Sequence, residues 1–232
     1  MNISISLKYL FPIIITLILI ANSAEAYNEK ILDARLERAS KHFNSVMSTS
    51  QSRILSDSLR QARGIIILRA FKVGYIVAVK GAEGVALVRD EVTGSWSAPV
   101  FITSGEGSIG LQAGGKRTDS VILLMNEQSL SILDKSRFQI GLDVAASAGG
   151  FGGEADTTIG RAPIVVYNNV DGIFAGISID GGYLKSDKRA NATYHNKRKI
   201  KVREILFEDK GRKTQAARDL INLIEKNTIA DN

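Results

Sequence analysis

The chain has no cysteine, three prolines, one tryptophan and two histidines in 232 residues. Without thiols there is no disulfide, no thiolate-bound zinc, no cysteine nucleophile and no lipidated cysteine, so stability has to come from a packed core. Aromatic residues make up 6% of the sequence, too few for the ring surfaces on which sugar-cleaving sites hold their substrates. With histidine only at positions 42 and 195, and no Gly-x-Ser-x-Gly elbow, a Ser-His-Asp site has little to be built from. His42 reads as a surface residue of a helix beside Lys41, and His195 sits among lysines with no named catalytic partner. Asp119, Asp143, Glu154, Asp156 and Asp180 show no calcium-loop spacing. Gly105-x-Gly107-x-x-Gly110 matches the dinucleotide fingerprint as text, but a strand pattern follows it where a helix would have to open onto a pyrophosphate. No enzyme, cofactor or metal is therefore expected, and an unrecognised hydrolase stands as the third-ranked alternative.

What is present is enough apolar sequence, 44%, for one sizeable core. Residues 1–26 combine Lys8, an apolar run from Tyr9 to Ile20 broken by Pro12, and Ala24-Glu25-Ala26, the pattern of a secretory signal cleaved before Tyr27. The run is short of the roughly 20 residues a spanning helix needs. An exported protein, periplasmic or secreted and membrane-associated through its surface, is the expectation. Residues 27–232 then form one domain, with N-terminal helices over 28–63, a strand-rich core over 64–187, and a basic segment plus C-terminal helix over 188–232.

Leu32, Leu36, Ala39, Phe43 and Val46 recur at helical spacing. That apolar stripe suits either packing on the domain or insertion into a membrane surface. Leu55, Leu59 and Ala62 predict a second helix ending at Gly64 as its C′ glycine. Ile65 to Leu68 is an uninterrupted apolar run, a strand covered on both faces. Gly81 and Gly84 predict a tight hairpin between Tyr75–Lys80 and Val85–Arg89, Asp90 to Gly94 predicts the next turn, and Pro99 belongs at an edge or strand start. Strands are expected over Val121–Met125, Phe138–Ala148, Pro163–Tyr167 and Gly172–Ile179, with a glycine loop at 149–153. Ala217, Leu220, Ile221 and Ile224 predict a C-terminal amphipathic helix. The expected fold class is α+β: a strongly twisted, mainly antiparallel sheet or partly closed barrel packed by N- and C-terminal helices.

The ordered set Ala62-Arg63-Gly64-Ile65, Gly74-Tyr75, Gly81-x-x-Gly84, Trp96-Ser97-x-Pro99 and Gly107-Ser108-Ile109-Gly110-Leu111-Gln112-Ala113-Gly114 resembles the SYLF domain. The resemblance runs from about Leu55 to about Asn196. It implies a non-enzymatic module that in eukaryotic members binds phosphoinositides and, in some, actin filaments. Asn191, Tyr194 and the residues after them resemble the family's closing Asn-x-x-Tyr-Tyr-Gly signature, with departures at His195 and Asn196.

The formal net charge is +6, and it is unevenly placed. Lys185, Lys188, Arg189, Lys197, Arg198, Lys199, Lys201 and Arg203 fall in one stretch with only Asp187 against them. Such a segment attracts anionic headgroups at about 1 kcal/mol per basic residue, or else is a solvated loop. The expected lipid-binding residues are Lys185, Lys188, Arg189, Tyr194, Lys197, Arg198, Lys199 and Lys201, with Tyr194 as an interfacial aromatic. The partner expected is an anionic lipid or membrane surface and not nucleic acid. A protein partner, actin or an envelope protein, is the alternative. Asn191-Ala192-Thr193 also fits a glycosylation acceptor.

Overall fold

The computed structural model describes residues 29–49, 52–74, 78–104, 108–110, 114–135, 137–138, 163–169, 173–174 and 183–228. The expected signal, the glycine loop and nearly all of the strand expected over 138–148 lie outside the described residues. The helices are α1 over residues 29–47, α2 Ser52–Gln61, α3 Glu127–Leu130, α4 Lys188–Tyr194, α5 Val202–Leu206 and α6 Gln215–Lys226. A 3₁₀ turn, Ser131–Asp134, continues α3. The strands are β1 Gly64–Gly74, β2 Ala78–Val88, β3 Val100–Ser104, β4 Ser108–Gly110, β5 Gly114–Leu124, β6 Ile164–Asn168, β7 Ile173–Phe174 and β8 Leu184–Ser186.

β1 is the axis of the sheet. It pairs along its whole length with β2 on one side and with β5 on the other. The order is β7-β6-β5-β1-β2-β3-β8, with β4 on the far end of β2, and every pairing is antiparallel. Among the described residues the sheet does not close, so the open twisted form is the one adopted.

Successive side chains along a strand point to opposite faces, and here both faces are covered. Ile65, Ile67, Val85, Leu87, Val121, Leu123, Val165 and Tyr167 meet α1, α2, α4 and α6 on one side. Ile66, Leu68, Ala86, Val88, Ile122, Leu124, Ile164 and Val166 meet α3, the 3₁₀ turn and α5 on the other. The apolar run at Ile65–Leu68 was legible as a strand covered on both faces for this reason. On α1, Leu32, Leu36, Ala39, Phe43 and Val46 are all buried in the first of these cores. Lifting them out would uncover the sheet face beneath, Ile65, Ile67, Val85 and Leu87 included, at about 1.5 kcal/mol or more for each large side chain left exposed to water. Packing is the role of the stripe.

Two glycine readings are corrected. Gly64 does not follow α2 as a cap but begins β1, where a Cβ would lie 2.7 Å from Leu130 Cδ2. No hairpin forms at Gly81 and Gly84, because β2 runs straight through both and pairs with β1 as far as Gly74 opposite Ala78. Gly84 is there for space: a Cβ would sit 2.2 Å from the Ile67 carbonyl oxygen. The turn at Asp90–Gly94 forms as expected, with Asp90 Oδ1 accepting from the Val92 and Thr93 amides and Gly94 at φ +72. Pro99 directly precedes β3.

Candidate functional site

The basic segment is anchored by its few uncharged and acidic members. Asp187 caps α4, its Oδ1 accepting the Ala190 amide at 3.0 Å, while its Oδ2 accepts from Arg35 of α1 at 2.9 Å. Arg35 also lies 5.0 Å above the Phe101 ring. One turn on, Asn191 Oδ1 accepts the Phe101 amide at 2.8 Å and its Nδ2 donates to the Phe101 carbonyl and to Ser186 Oγ, both at 3.0 Å. Asn191 is 2% exposed, so it is a stitch between α4 and β3, its amide nitrogen committed to that joint.

Tyr194 is corrected in the same way. Its ring is 0% exposed and packs edge-on against Phe101, 5.1 Å between centroids. The hydroxyl donates to Thr214 Oγ1 at 2.9 Å and accepts from the Thr214 amide at 3.1 Å, and Thr214 Oγ1 in turn donates to Asp33 Oδ1 at 2.7 Å. Burial pushes the phenol's pKa up. A side chain so enclosed cannot rest at headgroup depth; it joins α4 to the N-cap of α6.

His195 is buried too. Its Nε2 donates to the Pro99 carbonyl at 3.1 Å and its Nδ1 accepts the Arg212 amide at 2.9 Å, which fixes the neutral ring, and burial pushes its pKa down. Asn196 stands where the SYLF signature has glycine. Its φ of 51 lies in the left-handed region that ends a helix and that asparagine tolerates best after glycine.

The basic side chains fall into groups. Lys188 and Arg189 are exposed on the first turn of α4, and Lys197, Arg198, Lys199 and Lys201 are exposed beyond its other end, roughly 10 Å away at 1.5 Å per residue. Lys185 is half-buried on β8, opposite Thr103. Between α4 and α5 the chain passes from one core to the other across the Pro99 end of β3: Tyr194 belongs to the first, Ile205 and Leu206 to the second. Lys197 pairs with Glu204 at 2.8 Å, and that hydrogen bond holds the Glu204 carboxyl below its usual range. Arg203 pairs with Asp134 at 3.3 Å. Among the described residues, Lys188, Arg189, Arg198, Lys199 and Lys201 form no ion pair. Asp187, the expected counter-charge, is already held by Arg35.

A second charged cluster, missed in the sequence, lies beneath α1. Asp119 of β5 is 2% exposed and receives Arg69 Nε at 2.6 Å and Nη2 at 2.9 Å. His42 Nδ1 lies 3.3 Å from Asp119 Oδ1 without hydrogen-bond alignment. His42 is 4% exposed, so its surface assignment is corrected, and burial pushes its pKa down against the pull of Asp119. Arg35 and Arg38 approach Glu83 at 3.8 and 3.6 Å, closing a cavity of about 10 Å³, near what one water needs. The missed signal was spacing: His42 is three residues after Ala39 and four before Val46, on the buried stripe.

Comparison with known proteins bears on this arrangement. Residues 105–227 match the model of the family described as Ysc84, Las17-binding protein actin regulator. The SH3 domain-containing YSC84-like protein 1 of Xenopus laevis is 30% identical over 174 residues, 73% of this chain and 51% of that protein. Protein YSC84 of Saccharomyces cerevisiae is 29% identical over 143 residues, 59% of this chain and 30% of its own length. LAS seventeen-binding protein 3 of the same yeast is 28% identical over 145 residues, 60% and 31%. The chain spans about half, or less, of the length of these relatives. No solved structure matches it.

Proposed function

Because the chain belongs to the Ysc84 (SYLF) family, we propose that it is a non-catalytic binding module that docks on anionic lipid, a phosphoinositide-type headgroup included, through the basic rim around α4 and α5. The observation that carries this is the set of five exposed cations without an ion pair: Lys188, Arg189, Arg198, Lys199 and Lys201. Lys188 and Arg189 even occupy the first turn of a helix, where the free amides favour acidic residues by about 0.3–1 kcal/mol. Stability does not account for that placement, whereas attraction to an anionic surface does. The site is thus Lys188, Arg189, Lys197, Arg198, Lys199 and Lys201, with Lys185 behind them. Export, with cleavage after Ala26 and a periplasmic or secreted location, belongs to the same proposal and is carried by the Tyr9–Ile20 run and Ala24-Glu25-Ala26.

Vesicle co-sedimentation tests the reading. Binding is expected to anionic vesicles and not to neutral ones, and to weaken steeply as salt shortens the Debye length from about 10 Å at 0.1 M to about 3 Å at 1 M. Arg198→Glu with Lys199→Glu is the test variant, because it leaves Lys197 paired with Glu204. It should abolish binding, and parental affinity would sink the rim. The family description and the relatives' names support a second reading, an actin-linked protein partner, for which the same rim would meet acidic protein surface. Actin-filament co-sedimentation separates the two.

A further inference from the structure

Tyr194 is enclosed, so the aromatic expected to rest at headgroup depth is not the one the rim presents. Among the described residues three large apolar side chains are exposed: Ile31, Val92 and Phe207. Val92 follows Asp90 and Glu91; Glu91 is paired with Arg63 and Asp90 is bound by Thr93, so that turn carries no surplus of cations to hold headgroups. Ile31 lies on α1 between Glu29, Lys30 and Asp33, a mixed setting. Phe207 differs from both. Residues 197–210 hold six basic and three acidic side chains, and each acid is engaged: Glu204 by Lys197, Glu208 by Lys210 and Asp209 by Lys213.

We propose that Phe207, set 39% exposed at the end of α5 within this basic knob, is the apolar anchor that enters an anionic bilayer while the surrounding cations hold the headgroups. This deepens, and rests on, the lipid-docking reading above. The position is built: Ile205 and Leu206 are buried in the core beneath, so α5 cannot turn its outer face inward. The Phe207 amide donates to Arg203 O at 2.9 Å, and the Arg203 guanidinium lies 5.8 Å from the ring centroid. The Lys210 amide returns to Glu204 O at 3.0 Å, closing the knob. A ring partly covered by an arginine gives up little by trading that cover for acyl chain, since the guanidinium can rise to the phosphate level.

The experiment uses the purified protein with vesicles of phosphatidylcholine, with and without phosphatidylserine. Phe207→Ala is expected to weaken binding to the anionic vesicles roughly tenfold, from the apolar area it no longer buries, with the salt dependence unchanged. Phe207→Trp adds an indole to a protein whose one tryptophan, Trp96, is buried. Its emission should shift to the blue on anionic vesicles and be quenched by brominated acyl chains. If Phe207→Ala binds as the parent does and the added indole stays unquenched, the anchor is wrong while the rim stands. If the parent ignores anionic vesicles, the docking reading itself falls and takes the anchor with it. Loss of actin co-sedimentation in Phe207→Ala with vesicle binding intact would assign the ring to a protein partner and overturn its lipid role.

Discussion

Beneath α1, Arg35, Arg38 and Arg69 face Glu83, Asp119 and Asp187, whereas along α4 and α5 five lysines and arginines form no ion pair among the described residues. The first group is drawn from α1, β1, β2, β5 and the start of α4, elements distant in the chain, and its charges meet because the fold brings them together. The second is nearly continuous in sequence. The difference teaches that proximity in sequence is a poor guide to neutralisation. Matched charges between elements fix how those elements sit, while unmatched ones on a single segment are left to act on something outside.

The largest effect expected from disturbing the matched side is at Asp119. Asp119→Ala takes both acceptors from Arg69, which is one-third exposed and can turn to water, and empties a 2%-exposed position, and should cost about 2 kcal/mol in urea unfolding. A value near zero would mean that the cluster does not hold the elements together. Acidification is the milder disturbance, because a proton on His42 faces Asp119 and Glu83 as well as Arg69 and Arg38. Both histidines have folded pKa values below their unfolded value of 6.5, so the unfolded chain binds protons first. Their contribution is complete above that value and is lost as pH falls below it toward the folded pKa. The thermal midpoint should drop between neutral and mildly acidic pH, and His42→Gln should flatten the drop. Smallest of all is the unmatched side: Arg198→Glu with Lys199→Glu should change stability by no more than about 0.5 kcal/mol. A large loss there would erase the contrast.

Sequence periodicity carried the helices and the central strand because burial imposes it: Leu36, Phe43, Leu220 and Ile224 each recur where a turn returns to the core. Single letters with two physical uses misled. Glycine serves turns and close approaches alike, and at Gly84 the second use governs. Tyrosine suits a membrane interface or a buried hydroxyl with partners, and at Tyr194 Thr214 supplies the partner from twenty residues away. Asn191 and Tyr194, which carried part of the family resemblance, turn out to join elements together, so the resemblance reported the fold more directly than the site.

Strand β1 has a further property. An apolar run that faces hydrophobic packing on both sides contains little to say how it should line up with its neighbours, since a slip by one residue still buries isoleucine against isoleucine. Two unlike features break that degeneracy: Arg69 stands directly opposite Asp119 in the β1–β5 ladder, and only glycine at position 84 clears the Ile67 carbonyl in the β1–β2 ladder. One ion pair on one side and one missing methyl group on the other act as alignment marks, carrying information about which alignment is native that the hydrophobic letters between them do not hold.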